Sequence, residues 1–333
     1  MKHTTILATA TVALMATAAQ AQETLLFATT NPEQHPINQN VMNVWAEQVN
    51  EAAAGAVEVD LRHGPMIANH TNFVDRVTDD VVQIAWGMTV FNPGKFPNTL
   101  VSTLPFIVDS AEQGSAAMCA MYEEGAFDMD FEGLKPLLFI EFPQASAHLN
   151  GGATLESLRD LAGKKVITSS PAHTAMVEAN GGSPLSFSIT EQYEALQRGA
   201  ADGTIMNFTA FPGFRLDEVT TNHYVIPLGG AVGVVFMQQS VFDGLSPEAQ
   251  QAIEANSGCE ASRTYGAWVD QWEAEARGYV GSKEGHTITE APDEVIAILR
   301  EQVGPTVEAG LAERIPGGMD LVEMFKAKLE EAK

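Results

Sequence analysis

The side chains best placed for chemistry are polar and aromatic residues at the ends of predicted strands, and their types suit binding. Asn207 and Thr168 can form neutral hydrogen bonds, and aromatic rings at such positions can stack on a flat ligand. For Trp86 and Phe208, packing in the core is the alternative interpretation. The candidate ligand-binding residues by position are Trp86, Gly87, Met88 and Phe91 in the first half, Thr168, Ser169, Met206, Asn207, Phe208 and Phe211 in the second half, and His35 and Met66 near the entrance.

Motifs that would indicate catalysis are absent from the sequence. It contains no HExxH, GxSxG, phosphate-binding loop or GxGxxG pattern. Its eight histidines are scattered without metal-ligand spacing, and its two cysteines form no CxxC pair. We therefore expect a protein that is not an enzyme and that uses neither a metal nor another cofactor.

Length and charge narrow the class further. A chain of 333 residues with 45% hydrophobic residues is long enough for two globular lobes, each with its own core. The net charge of −25 would repel nucleic acid and anionic membrane surfaces, so neither is an expected partner.

The secondary-structure pattern predicts two open α/β units. In the second unit, strands at 166–168, 184–188 and 204–207 alternate with helical segments, and Gly199 ends the second helix. In the first unit, strands are predicted at 25–29, 57–61 and 81–86. The strand ends of such units face one edge, where ligands bind. Two such edges facing each other would form a cleft.

Two extended stretches are candidates for connections between the lobes. The first runs from Ala145 to Asn150, and the second follows Asn222. We predict lobe I at 22–144 and 226–270, and lobe II at 145–225 and 271–333. A long helix at about 246–284, opened by Ser246 and Pro247, would span both lobes.

The N-terminus has the features of a secretory signal peptide. Lys2 precedes an apolar run at 6–18, and Ala19-Gln20-Ala21 is a small-x-small cleavage site. We predict residues 1–21 as a signal peptide cleaved after Ala21, and a periplasmic location. In that compartment Cys119 and Cys259 could form a disulfide or remain buried thiols, and the sequence leaves both possibilities open.

A series of short motifs resembles the solute-binding proteins of TRAP transporters over nearly the whole mature chain. No single motif is specific, but their order and spacing are. They are Asn92-Pro-Gly-Lys-Phe-Pro97 with Leu104-Pro-Phe106, Leu158-Arg-Asp-Leu-Ala-Gly-Lys-Lys165, Tyr193-Glu-Ala-Leu-Gln-Arg-Gly199 with Asp202-Gly203, Asn222-His-Tyr224, and Phe242-Asp-Gly-Leu-Ser-Pro-Glu-Ala249.

The resemblance implies a two-lobed α/β fold of the periplasmic-binding-protein type (type II), with hinge strands and a helix bridging the lobes. It implies capture of a small organic acid and its delivery to the membrane permease subunits of a TRAP transporter. A ligand sensor for a signalling receptor and a secreted hydrolase are the alternatives. The family position in the first crossing strand adds His148 to the candidate binding residues. A monomer is the expected state.

One departure from the family pattern concerns the ligand's charge. Relatives carry an arginine that pairs with the ligand carboxylate, and Ile167 stands at the matching position here. A charge-assisted pair of this kind contributes about 1.5–3 kcal/mol, or one to two decades of affinity. Its replacement makes a neutral, cationic or aromatic ligand credible.

Overall fold

A computed structural model describes residues 23–152 and 154–333 of the chain, and it shows a mixed α/β protein with two sheets. The predicted signal peptide lies outside these residues. The strands are β1 (Glu23–Thr29), β2 (Val57–Arg62), β3 (Ile84–Met88), β4 (Leu134–Phe142), β5 (Ser146–Leu149), β6 (Lys165–Ile167), β7 (Ser183–Leu185), β8 (Gly203–Met206), β9 (Asn222–Val225), β10 (Ala231–Gln238) and β11 (Thr287–Glu290).

The helices surround these sheets. They are α1 (Asn43–Ala53), α2 (Phe73–Thr78), α3 (Ala111–Glu123), α4 (Pro171–Ala179), α5 (Ile189–Gln197), α6 (Ala210–Phe214), α7 (Gln239–Gly244), α8 (Pro247–Ala255), α9 (Gly258–Gly281), α10 (Asp293–Gln302), α11 (Gly304–Ala312) and α12 (Gly318–Glu331). In the part of the chain that the structure describes, none of them is long and apolar enough to cross a membrane.

The first sheet forms lobe I and has the order β2-β1-β3-β10-β4. Strand β1 pairs in parallel with β2 and β3, whereas β10 runs antiparallel to β3 and β4. Val57 and Val59 on β2 are buried, and Glu58 between them is exposed. This alternation confirms the predicted half-buried strand and orients the sheet's inner face towards the core.

The second sheet forms lobe II and has the order β11-β9-β5-β8-β6-β7. Strands β6, β7 and β8 are parallel and alternate with α4 and α5, as the sequence pattern predicts. Ser170 caps α4 by accepting a hydrogen bond from the backbone N–H of His173, and Pro171 occupies the first turn. Gly199 follows α5 at φ +66°, a conformation that ends the helix without strain.

Two segments cross between the lobes and lie side by side. The first joins β4 to β5 through residues 143–145, and the second joins β9 to β10 through residues 226–230. Ala145 N–H donates to the carbonyl of Gly229 at 2.8 Å, and Leu228 N–H donates to the carbonyl of Ala145 at 3.0 Å. The predicted hinge is therefore a pair of hydrogen-bonded strand extensions.

The long helix predicted at about 246–284 is two helices, α8 and α9. Gly258 has φ +83°, which lies outside the helical region, and Ser257 is extended in front of it. The sequence pattern predicts only a weak interruption at Gly258, whereas in the structure the helix ends before this residue and a new one begins. Helix α9 packs on α3 and β4 of lobe I, and its later turns reach lobe II.

The C-terminal segment also departs from the predicted division, which assigns residues 271–333 to lobe II. Helix α12 packs on α3 in lobe I. Gln113 Nε2 donates to the carbonyl of Leu329, and Arg263 donates to that of Ala332. Buried Leu321, Val322 and Phe325 belong to the apolar core that includes α3. The chain therefore returns to lobe I at its end.

A disulfide joins Cys119 of α3 to Cys259 of α9, with a Cα–Cα distance of 5.2 Å. The sequence leaves this pairing open because it gives no distance between two helices 140 residues apart. The bond fixes the first turn of α9 to lobe I.

Candidate functional site

A cavity lies between the lobes, where the carboxyl ends of their parallel strands face each other. Its volume is about 90 Å³. That holds several waters at about 10–15 Å³ each, and it is well below the volume typical of drug-sized ligands. Its wall is formed by Asn31, His35, His70, Trp86, Met88, Val90, Phe91, Phe142, Ala145, Ser169, His173, Ile189, Met206, Asn207, Thr209, Ala210, Phe214, Gly229, Gly230, Ala231 and Trp272.

Aromatic rings dominate this wall. Phe142 lies between Trp86 and Trp272, with ring centroids 6.3 Å and 6.1 Å away. His35 of lobe I contacts Trp272 edge-on at 5.5 Å and reaches across the cleft to Phe214 of lobe II at 6.0 Å. Through these ring contacts, lobe I, lobe II and α9 all meet at the cavity.

The position of Trp86 depends on one glycine. Its indole lies on Gly233 of β10, where a Cβ atom would come within 2.1 Å of the ring. No L-residue with a side chain fits under the ring without moving it. Gly233 therefore allows the sheet to hold a tryptophan flat against the cavity.

Three histidines supply much of the polarity of the wall, and burial keeps them neutral. It lowers the pKa of His35, His70 and His173 to about 4 in each case, and for His70 the nearby His35 contributes to that lowering. His173 contacts the Ser169 hydroxyl and the Gly229 carbonyl, both at 3.3 Å. At neutral pH these rings act as hydrogen-bonding groups without charge.

Two buried polar atoms in the wall have no hydrogen-bond partner among the described residues. They are Nε1 of Trp86 and Nδ1 of His70. The other ring nitrogen of His70 lies 3.3 Å from the Thr30 hydroxyl, which leaves Nδ1 able to carry the proton. Unpaired buried donors are costly, so a polar group that reached either atom would be stabilised there.

No lysine, arginine, aspartate or glutamate lines the cavity within residues 23–152 and 154–333. Ile167 is fully buried in an apolar core, so its side chain offers nothing in place of the arginine of relatives. Lys165 is exposed and donates to the carbonyl of Gly199 at 2.8 Å, away from the cavity. The described wall is thus uncharged at neutral pH.

The structure brings seven of the thirteen candidate residues to the cavity wall. They come from the ends of β3, β6 and β8 and from the loop after β1. The seven residues are His35, Trp86, Met88, Phe91, Ser169, Met206 and Asn207.

Three of the other six candidates lie outside the wall for local reasons. Met66 is 92% exposed on its loop. Gly87 follows Trp86 on β3 and therefore faces the opposite side of the sheet, against Phe73. Thr168 is buried, with its hydroxyl 3.0 Å from that of Thr174.

The remaining three, His148, Phe208 and Phe211, form a separate cluster in lobe II. The ring centroids of Phe208 and Phe211 lie 5.0 Å and 4.6 Å from that of His148, and all three residues are fully buried. These ring contacts favour core packing as the interpretation for Phe208. We withdraw these three residues from the set that contacts ligand.

His148 belongs to a row of three histidines. Its Nε2 donates to the carbonyl of Met206 at 2.9 Å, its Nδ1 lies 2.9 Å from Nδ1 of His223, and Nε2 of His223 lies 3.0 Å from Nδ1 of His286. Because the carbonyl only accepts, a neutral row has one direction, with each ring donating towards Met206. Burial lowers the pKa of His148 to about 4 and that of His223 to about 2. The row holds the cavity end of β8 in place.

Several wall residues carry no clear signal in the sequence. Trp272 lies within a helix, and periodicity alone does not distinguish a cavity-facing ring from a core one. Phe142 ends a strand that is buried along nearly its whole length, so no alternation marks a cavity-facing side. His173 could have been found, because the Ser170 cap and Pro171 place it in the first turn of a helix that begins at a strand end.

Comparisons with known proteins agree with this architecture. The family model for bacterial extracellular solute-binding protein, family 7 (DctP) matches residues 27–313. The outer membrane transporter protein TsaT of Comamonas testosteroni is 23% identical over 332 residues, which cover 96% of each chain.

Solved structures of TRAP solute-binding proteins are also similar. One, from a marine metagenome and specific for aromatic acid ligands, was solved with metahydroxyphenylacetate; it is 25% identical, with a TM-score of 0.86 over 94% of this chain and 100% of that one. Another, from Rhodoferax ferrireducens T118 with copurified benzoate, is 22% identical, with a TM-score of 0.85 over 93% and 98%. These proteins bind substrates and are not enzymes. Since the family model spans most of the sequence, this chain belongs to the family 7 extracellular solute-binding proteins, which capture solutes for TRAP transporters.

Proposed function

We propose that the protein captures a small one-ring aromatic molecule in the cavity between its lobes and delivers it to a TRAP permease. The observation that carries this proposal is the row of rings formed by Trp86, Phe142 and Trp272 around a cavity of about 90 Å³. Offset and edge-on contacts with such rings each add about 0.5–1.5 kcal/mol beyond area burial. The aromatic ligands of two similar solved structures support the same class.

The polar head of the ligand is bound by neutral donors. Trp86 Nε1 and His70 Nδ1 are the buried atoms that need a partner. A carboxylate would have to leave water without a cationic partner in the described wall, which is strongly unfavourable. Protonating His173 to provide one costs about 4 kcal/mol at pH 7, because burial sets its pKa at about 4. The site therefore prefers an amide or hydroxyl head to a carboxylate.

Closure follows from the origin of the wall. His35 and Trp86 come from lobe I, and Phe214 and Asn207 come from lobe II. A ligand that contacts both sides binds the closed arrangement better than the open one and shifts the population towards it. The hydrogen-bonded crossing segments are the hinge of this motion.

Family membership makes the protein extracytoplasmic and pairs it with membrane permease components. Within that frame, we place it in the periplasm as a monomer, with the signal peptide cleaved after Ala21. Delivery to a permease is favoured over the signalling and hydrolytic alternatives.

Matched ligand pairs test the proposal. Thermal-shift and calorimetric titrations would compare benzamide with benzoate and with cyclohexanecarboxamide, using succinate as a non-aromatic acid. A ligand that binds only the folded state raises the melting temperature. We expect benzamide to bind more tightly than either analogue at pH 7. Tighter binding of succinate or of cyclohexanecarboxamide would contradict the aromatic class, and tighter binding of benzoate would contradict the neutral head.

A variant at the cavity locates the binding. Phe214→Leu removes a ring of the wall, whereas Phe187→Leu changes a similarly half-buried ring of lobe II outside it. We expect the first variant to weaken benzamide binding about three- to tenfold, the loss of one aromatic contact, and the second to leave it unchanged. Equal effects of the two variants would place the ligand elsewhere.

A further inference from the structure

Helix α9 is hydrogen-bonded to each lobe through one carboxylate, and the two carboxylates lie one turn apart on the helix. On the lobe I side, Asp270 accepts hydrogen bonds from the backbone N–H groups of Ala111 and Glu112 at 2.7 Å and 2.9 Å. These groups lie in the first turn of α3, where unpaired N–H groups favour a negative charge.

On the lobe II side, Glu273 binds backbone groups within residues 207–209, which form a corner of the ligand cavity after β8. Its two oxygens accept from the backbone N–H groups of Phe208 and Thr209 at 2.9 Å and 2.8 Å. Thr209 lies in the cavity wall, and its hydroxyl donates to the side-chain oxygen of Asn207, also in the wall, at 2.6 Å. Trp272, next to Glu273 in sequence, lines the same cavity.

We propose that Glu273 is a positioning residue for the ligand site, and that its ionised carboxylate shapes the 207–209 corner so that protonation of Glu273 weakens ligand capture. An ionised carboxylate satisfies both N–H groups at once. A protonated carboxyl keeps one good acceptor, and its O–H turns towards groups that also donate. One of the two N–H groups of the corner then loses its partner.

The charges around Glu273 come from three directions. Asp270 and Arg277 lie on α9 itself, and Arg277 is paired with Glu290 of β11. Glu273 also borders a groove of about 480 Å³ that runs along the crossing segments. Three further charged residues line this groove: Asp109 before α3, and Asp293 and Arg300 on α10. The groove gives protons from solvent a route to the carboxyl group.

The balance of these effects places the titration near neutrality. Burial, with a smaller contribution from Asp270, raises the pKa of Glu273 to about 7 against the lowering by the two N–H groups and Arg277. A ligand that orders the corner favours the ionised form, so binding releases a proton. Affinity is then full above pH 7 and is lost as the pH falls through 7, by about tenfold between pH 8 and pH 6.

The direct test needs no ligand. Two-dimensional ¹⁵N NMR of the whole protein from pH 5 to 8.5 would follow the amide signals of Phe208 and Thr209. We expect both to titrate together with a midpoint near 7, and to be independent of pH in Glu273→Gln. Glu275→Gln, an exposed carboxylate on the same helix, is the matched control and should leave the titration intact. A midpoint near 4.5, or amides that titrate separately, would overturn the proposal.

The effect on capture rests on the proposed function and is measured separately with benzamide, which has no ionisable group in this range. Calorimetry should show proton release and about tenfold weaker binding at pH 6 than at pH 8, and pH-independent binding in Glu273→Gln. If the amides titrate near 7 and benzamide does not bind at all, the ligand class is wrong and the positioning role stands. If benzamide binds with the same affinity at both pH values, the role of Glu273 in capture is wrong. If the variant does not fold, the wild-type titrations alone decide.

Discussion

Substituting alanine for Gly233 is the sharpest way to disturb the cavity without touching a residue of its wall. The added Cβ atom would lie 2.1 Å from the indole of Trp86, and the next two contacts are 2.7 Å, all within the same ring. At such distances the whole indole must move, because the contacting atoms belong to a rigid, fully buried ring and not to the end of a flexible side chain. Overpacking of this kind costs about 1–3 kcal/mol.

The structure sets the size of both effects. At about 2.1 cal/mol/K per residue, unfolding some 310 residues has an entropy near 0.65 kcal/mol/K, so we expect the melting temperature to fall by about 2–5 °C. Displacing Trp86 removes one ring contact and misplaces Nε1, which should weaken benzamide binding about tenfold.

Differential scanning calorimetry and isothermal titration measure the two effects on the same samples. Gly244→Ala is the control, because a Cβ atom at Gly244 meets nothing within 4 Å. If Gly233→Ala matches this control in melting temperature and affinity, Trp86 neither packs on Gly233 nor shapes the ligand site.

Three further predictions concern stability. Replacing Cys119 and Cys259 by serine should lower the free energy of unfolding by up to about 5 kcal/mol, since the bond closes a loop of 140 residues; urea unfolding of the variant checks this, and an unchanged value would contradict the bond. The neutral rings of His148 and His223, whose pKa values burial lowers to about 4 and about 2, contribute stability above pH 6.5 that is lost as the pH falls towards 4. Histidine ¹⁵N NMR should find both rings uncharged at pH 5, and a charged ring there would contradict the row. Glu141 is fully buried, and neither of its carboxyl oxygens is hydrogen-bonded to a described residue. Burial raises its pKa well above the usual value. Its protonated form therefore stabilises the fold at low pH, and this contribution is lost as the pH rises. Glu141→Gln should therefore gain stability relative to wild type between pH 5 and pH 8 in urea unfolding, and a constant difference would count against the buried proton.

The sequence predicts the fold well where local chemistry decides. Strand alternation at Val57 and Val59, the cap and proline at the start of α4, and Gly199 after α5 each have a local physical cause, and each appears as predicted. Gly258 is different. Its left-handed backbone breaks the long helix, and glycine inside a helical pattern does not show which conformation it adopts.

The candidate site is predictable only in part, for a related reason. Strand-end residues such as Trp86 and Asn207 reach the cavity because parallel strands end at one edge. Gly87 and Phe208 do not, because one step along a strand or a corner turns a side chain to the other side. Trp272 comes from a distant helix, which only the packing of α9 against both lobes places at the cavity.

The central claim is that one aromatic molecule binds between the lobes and contacts both of them. A crystal structure of the protein grown with benzamide tests it most directly. We expect one ring in the cavity, packed against the row of Trp86, Phe142 and Trp272 and in contact with Phe214 of lobe II, with its head group within hydrogen-bond distance of Trp86 Nε1 or His70 Nδ1. Ligand density on one lobe alone, or outside the cavity, would contradict the account.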